Sequence, residues 1–273
     1  MFEFIKKNRE KRRLKTTFKE YGFEITEFLL PEFGSVKFAR WQNPFEAEKI
    51  ISQSQVNFYK RFLKKGDLVI DIGAHVGDTT LPMALAVGRE GTTLAFDPNP
   101  YVFKILKENS ELNKSMTNIL PLNFAITATD GFFFFNSSEA TFNNGGISSS
   151  QKNHNGKYGL PEKVRGINLE KYLEANFSEI LPRLSLIKVD AEGYDIEILR
   201  SISSLIVKYR PHLIFECFKQ LSKQQRENLY HEVADKNYDL YYVEAFDEHA
   251  DMQLLKEESM MDRKHFDVLA VPK

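Results

Sequence analysis

Acidic residues and glycines recur in this chain at the ends of apolar runs, and that is where chemistry would sit. Leu68-Val69-Ile70-Asp71-Ile72-Gly73-Ala74-His75-Val76-Gly77-Asp78-Thr79-Thr80 passes from an apolar run through two glycines into a helix start, with Pro82 in the first turn. A proline there removes an N–H that has no intrahelical partner. Asp97 ends a second apolar run, 26 residues after Asp71, in Thr93-Leu94-Ala95-Phe96-Asp97-Pro98-Asn99-Pro100. Beyond the carboxyl ends of parallel strands, helix N-termini point free N–H groups at ligands. A dinucleotide needs a second glycine where this chain has His75, because the diphosphate approaches the backbone closely there. S-adenosylmethionine (SAM) carries no phosphate and suits the loop better, with the Asp97 carboxylate able to accept both hydroxyls of its ribose. Asp97 alone could equally cap a helix; its spacing from Asp71, Gly73 and Gly77 favours the cofactor. The candidate cofactor contacts are Asp71, Gly73, His75, Gly77, Asp78 and Thr79 in the loop. Asp97, Pro98 and Asn99 at the second tip and Ala125 further on complete them.

Leu184-Ser185-Leu186-Ile187-Lys188-Val189-Asp190 is an apolar strand holding a lysine. A buried ammonium needs a partner, and Asp190 and Glu192 are nearest in sequence, with Glu216 on an adjacent strand tip. Asp190, Lys188 and Glu192 are the candidate catalytic residues: Asp190, or the Lys188–Asp190 pair, could remove the proton of an acceptor hydroxyl. Asp190 and Glu216, with Glu192, could instead hold a divalent cation such as Mg²⁺. A purely structural reading makes them an ion-pair network capping the helix at Gly193. Asn143–Ser148 could bond the acceptor or the cofactor, or form a turn cluster. His75 would touch the cofactor or gate its pocket, His154 reads as solvated and His212 as a satisfied core side chain.

The elements that must position these residues alternate. Residues 21–41 read as short strands broken at Pro31 and Gly34, a hairpin or meander. Phe45–Leu63 has helical spacing, ending at Lys64-Lys65-Gly66 with Gly66 as a left-handed cap. Strands are expected at Leu68–Asp71, Thr92–Asp97, Asn118–Thr127, Leu184–Asp190 and His212–Cys217. Helices are expected at Asp78–Val87, Pro100–Leu112, Gly193–Val207 and Ser222–Lys236. Such alternation means a parallel sheet covered on both faces, and Tyr238–Val243 with Phe266–Val271 close it as an antiparallel edge. Phe132–Phe135 reads as a buried strand. Residues 137–167, rich in Ser, Asn and Gly, read as a long polar loop over the active site.

Composition sets the outer bounds. The 273 residues carry 37 Lys+Arg against 38 Asp+Glu and are 42 % hydrophobic, which excludes a disordered chain and a protein coated in positive charge for nucleic acid. The one cysteine, Cys217, makes no internal disulfide, no apolar run reaches membrane-helix length, and no leader is visible. A reducing, cytoplasmic compartment is the expectation. Residues 3–15 hold seven bases (Lys6, Lys7, Arg9, Lys11, Arg12, Arg13, Lys15) against two acids, an arm that could touch an anionic surface or simply be solvated. A homo-oligomer is compatible with the sequence.

The Asp71–Gly77, Ala95–Pro100 and Lys188–Asp195 segments, with Leu106–Asn109, Pro211 and Glu216, occur in the order and form of one family. The chain resembles the FkbM family of SAM-dependent methyltransferases over about residues 55–218. It departs at His75, where asparagine is usual, at Asp78, where an aromatic is usual, and at Asn168-Leu169-Glu170-Lys171-Tyr172. The resemblance implies an α/β, Rossmann-like class I methyltransferase fold with a mostly parallel seven-stranded sheet and an antiparallel edge strand. A small N-terminal β/α extension (1–54) would precede the SAM-binding domain (55–273). It also implies O-methylation of a hydroxyl on a sugar, glycan or polyketide-like small molecule. The alternatives are a dinucleotide-dependent enzyme of related fold or a non-enzymatic interaction module. No specific nucleic-acid partner is expected, since no basic stripe stands out.

Overall fold

The computed structural model describes residues 9, 12–148, 150 and 158–273. His154 and most of the basic arm lie outside the described residues. The end of the arm is held, since Ala140 N donates to Lys15 O (2.8 Å) and Lys15 Nζ lies 3.7 Å from Glu139.

β1 (Phe23–Leu30) and β2 (Gly34–Trp41) form the expected antiparallel hairpin, with Pro31 and Gly34 bracketing its turn. α1 (Gln53–Lys60) is shorter than its spacing suggests. Ser52 and Gln55 make a reciprocal capping box that starts the helix at Gln53, leaving 44–52 irregular. Gly66 does adopt a positive φ (89°), but in the turn before the next strand, beyond the helix end. β3 (Leu68–Ile72), α2 (Thr80–Val87), β4 (Thr92–Phe96) and α3 (Pro100–Leu112) follow as expected, but the strand expected over Asn118–Thr127 is cut short as β5 (Ile119–Leu122), and its far end, Ala125–Ile126, pairs in a different sheet.

Residues 137–167, expected as a polar loop, contain strands. β6 (Ala125–Ile126), β7 (Gly131–Ser137), β8 (Gly146–Ser148), β9 (Tyr158–Gly159) and β10 (Val164–Ile167) build a second small sheet, ordered β6-β10-β7-β8 with β9 on β7. The phenylalanine run lies in β7 there: Phe135 is buried, whereas Phe132 is 69 % exposed, as alternation in a sheet with one open face requires.

The chain then returns to the main sheet through α4 (Leu169–Phe177), β11 (Leu184–Val189), α5 (Asp195–Ser201), α6 (Ser203–Tyr209), β12 (His212–Cys217), α7 (Lys223–Ala234), β13 (Tyr238–Val243), β14 (Met252–Leu254) and β15 (Phe266–Pro272). The single helix expected over 193–207 is two, interrupted at Ile202 (φ −112°, ψ 16°), where Ser201 bonds back to Ile198 O.

Among the described residues the main sheet has eight strands, ordered β14-β13-β15-β12-β11-β3-β4-β5. That is one more than seven, because Met252–Leu254 adds to β13. Antiparallel β15 is not at the edge: it is inserted between β12 and β13. Buried side chains alternate between two cores. Val69, Leu186 and Ile214 pack with the hairpin, α1, α2 and α3; Ile70, Ile187 and Leu213 pack with α4 to α7.

The hairpin is fastened to this frame by two asparagines one turn apart on α3. Asn109 accepts from Ala39 N (2.6 Å) and donates to Ala39 O (3.1 Å) and to Val76 O (2.7 Å). Asn113 accepts from Lys37 N (3.0 Å) and donates to Lys37 O (2.8 Å). Four residues of helix rise about 6 Å and two residues of strand about 6.6 Å, so the pair reads alternate residues of β2 as a neighbouring strand would. The helix thereby covers a sheet edge.

Candidate active site

Strand order reverses at β3, with β4 and β5 on one side and β11 and β12 on the other. Crevices at such switch points hold ligands, and a cavity of about 350 Å³ opens there. Asp97 follows β4 directly. Its two oxygens accept from His75 N (2.9 Å) and Asn99 N (2.8 Å), which leaves lone pairs on both for further donors. Burial pushes the Asp97 carboxyl above the ordinary carboxylate range, opposed by His75 and the two N–H groups. Asn99 caps α3 through Tyr101 N and donates to Phe142 O (2.7 Å). His75 has a left-handed backbone (φ 50°), and its Nε2 lies 3.0 Å from Asn143 O. Its ring also meets Trp41, centroids 6.2 Å apart.

Parallel register places Lys188 of β11 beside Asp71 of β3. Lys188, 2 % exposed, holds its Nζ 3.6 Å from Asp71 Oδ1 and 3.2 Å from Asp190 Oδ2. Burial works against the ammonium, but Asp190 and Asp71 together hold its pKa well above the ordinary lysine value. Asp71 is fully buried and accepts from Thr80 Oγ1 (2.6 Å). Burial raises its carboxyl, and Lys188 and Thr80 oppose that rise. Asp190 is the member that reaches solvent, its side chain 44 % exposed. Glu192 beside it has φ 52°; burial and then Asp190 push its carboxyl up.

Of the candidate cofactor contacts, Gly73, His75, Asp78, Thr79, Asp97, Pro98, Asn99 and Ala125 line the cavity, together with Lys188, Asp190 and Glu192. Asp71 and Gly77 do not. Asp71 is on the face of the sheet covered by α2, bonded to Thr80 and beside Lys188, and Gly77 (φ 91°) makes the turn against Leu106.

The cation expectation is not carried forward: among the described residues no three His, Cys, Asp or Glu side chains are gathered to hold a metal. Glu216 Oε1 faces His265 Nε2 (3.0 Å) while its Oε2 is buried without a partner among the described residues, and Asp190 faces Lys188. His212 is half-buried, bonded to Ser185 O (3.4 Å) and close to Phe62. Burial lowers its pKa.

Sequence reasoning missed the segment between the hairpin and α1. Phe45, Glu46, Ala47 and Lys49 form one wall of the cavity. Lys49 Nζ bridges Asp78 (3.0 Å) and Glu46 (3.4 Å), and Glu46 also lies 3.7 Å from His75 Nδ1. Although partly buried, Asp78 is held below the ordinary carboxylate range by Lys49 and His75. The signal was available in the Ser52-x-x-Gln55 capping box, which ends the irregular segment at residue 52. Asn143, left open as a turn residue, is buried, and its Nδ2 bonds Phe45 O (3.3 Å) across the cavity mouth.

The hexuronic acid methyltransferase AglP of Haloferax volcanii is 23 % identical over 143 residues, covering 52 % of this chain and 53 % of that protein. The match thus spans about half the relative's length. Among solved structures, methyltransferase FkbM from Methylobacillus flagellatus aligns at TM-score 0.46 and 10 % identity, covering 77 % of this chain and 47 % of that one. A SAM-dependent O-methyltransferase from Thermotoga maritima aligns at TM-score 0.41 and 11 % identity, covering 92 % and 78 %. The model of the methyltransferase FkbM domain matches residues 71–256, which is most of the described sheet and every residue of the Asp71–Lys188–Asp190 chain. The protein belongs to the FkbM methyltransferase family.

Proposed function

We propose that this chain is a SAM-dependent O-methyltransferase whose acceptor is a hydroxyl of a sugar or glycan. The observation that carries the reading is that one cavity is lined both by Asp97, suited to a ribose, and by the Lys188–Asp190 pair. When bound, SAM supplies an electrophilic methyl on a sulfonium. The remaining work falls to the protein. Asp97 accepts the ribose hydroxyls with lone pairs left over from His75 N and Asn99 N. The same hydrogen bonds disfavour a dinucleotide, because the His75 N–H that a diphosphate would need is committed to Asp97. Asp190 takes the proton of the acceptor hydroxyl, and Lys188 fixes its orientation from below while Asp71 balances Lys188. The sugar class is supported by the hexuronic acid methyltransferase among the relatives.

Calorimetric titration of the full chain with SAM, S-adenosylhomocysteine and NAD tests the cofactor, with Asp97→Ala alongside. Saturable binding of both sulfur compounds, weakened at least tenfold in the variant and absent for NAD, is expected. Binding of NAD in their place overturns the reading. Transfer of labelled methyl to sugar hydroxyls, abolished in Asp190→Asn with cofactor affinity retained, tests the chemistry.

A further inference from the structure

A second cavity, about 360 Å³ in volume, adjoins the first. Asn144–Ile147 and Glu192 line both, so they form the partition between the two. On the far side, Phe218, Lys219 and Gln220 beyond the tip of β12 face Ser138 and Ser148 of the small sheet. We propose that this second cavity is the acceptor subsite and takes a pyranose bearing a carboxylate, with Lys219 on the carboxylate and Glu192 at the hydroxyl end.

The argument rests on the proposed sugar methylation and on four features of the walls. Position comes first: a group entering here meets Glu192 at the partition, and Glu192 and Asp190 both line the cofactor cavity beyond it. The walls combine hydroxyls and an amide (Ser138, Ser148, Gln220) with the ring of Phe218. Groups that both donate and accept suit sugar hydroxyls, and an apolar face suits the C–H side of a pyranose.

Phe218 is held rigidly. A Cβ on Gly193 would stand 2.9 Å from Phe218 Cδ1, so the ring packs directly on the Glu192–Gly193 turn. The charges, finally, differ in which cavity they line. Lys219, its Nζ 5.4 Å from the Phe218 ring centroid, lines the second cavity and not the first, whereas Glu192 lines both. An acceptor carboxylate is attracted to the first and repelled by the second together with Asp190, which orients the sugar with a hydroxyl inward.

The test uses the full chain saturated with S-adenosylhomocysteine and titrated with methyl β-D-glucuronide and methyl β-D-glucoside. The glucuronide is expected to bind about two- to fivefold more tightly, as one charge-assisted contact at an exposed lysine provides. Lys219→Ala should bring it to the level of the glucoside with S-adenosylhomocysteine affinity unchanged, and Lys219→Arg should keep the preference. Equal binding of the two sugars to the unaltered protein, binding of neither, or a preference that survives Lys219→Ala overturns the subsite. Failure of S-adenosylhomocysteine itself to bind overturns the proposed cofactor instead, and is read separately in the first titration.

Discussion

A Cβ placed on Gly73 would lie 1.9 Å from the carbonyl oxygen of Asp190. The Gly73–Gly77 loop and the tip of β11 therefore touch backbone to backbone, and Asp190 N is in turn bonded to Ile72 O (2.9 Å). With φ of 78° at Gly73 as well, alanine there meets both a clash and a disfavoured conformation. Gly73→Ala is expected to cost about 2–4 kcal/mol in denaturant unfolding and to weaken S-adenosylhomocysteine more than tenfold. Gly22→Ala, which meets nothing within 4 Å, should stay within about 0.5 kcal/mol of the parent.

Lys188 joins two carboxylates in the centre of the sheet, and its removal strands Asp71 without a counter-charge. Lys188→Met should destabilise by about 3–5 kcal/mol. Adding Asp71→Asn removes the stranded charge, so the double variant should regain at least about 1 kcal/mol over Lys188→Met. A strictly additive pair of losses in urea titrations would deny the ion pair.

Glu216, Asp195 and Asp267 give the fold a direction in pH. Burial, followed by Asp190, Asp195 and Glu192, pushes the Glu216 carboxyl up to about 9. Burial and Asp190 push Asp195 to about 7, and burial with Asp190 brings Asp267 to about 6 against the pull of Lys188. Each binds its proton more tightly folded than unfolded, so stability is highest below the ordinary carboxylate pKa and declines as pH rises to the folded values. For Glu216 that window runs from 4.5 to about 9. Melting temperature should fall from pH 5 to pH 9, and Glu216→Gln should flatten the decline and melt roughly 2–4 °C higher than the parent at pH 9.

Asn109 offers one acceptor and two donors to the hairpin and the cofactor loop at once. Asn109→Ala leaves Ala39 and Val76 main-chain groups buried without partners, for an expected loss of about 2–4 kcal/mol. Asn109→Asp keeps the acceptor but turns an oxygen toward Ala39 O and Val76 O. It should be worse than alanine at pH 8 in the same unfolding measurement, although it is closer in shape.

What could be read from the sequence was local. The glycines and acids at the strand tips sit within a few residues of the runs they terminate, so the position of Asp97, Lys188 and Asp190 at or near strand tips was legible before any packing was known. Asp71 lies on the same motif, yet its orientation depends on register with β11, which spacing does not encode; it supports Lys188 and lies outside the cavity. β6, β8, β9 and β10 are two to four residues long, too short for alternation to show, and their Ser- and Gly-rich setting resembled a loop. The wall at Phe45–Lys49 was hidden by apolar spacing that happened to suit a helix. Glu216 was read with other acids, because its partner His265 arrives from a distant part of the chain.

The insertion of β15 between β12 and β13 has a consequence for how the molecule is made. During synthesis Leu213, Ile214 and Phe215 reach the growing sheet on β12 well before their partners Ala270, Leu269 and Val268 exist. α7, β13 and β14 are all translated in the interval. Throughout it β12 is an apolar strand with one open edge, the kind that pairs with neighbouring nascent chains. When β15 does emerge, it slots between two strands translated before it, so closure of the sheet is a late, non-local pairing, the kind that slows folding. Ribosome pausing or chaperone shielding in that interval would raise the yield of native protein without altering a single native contact.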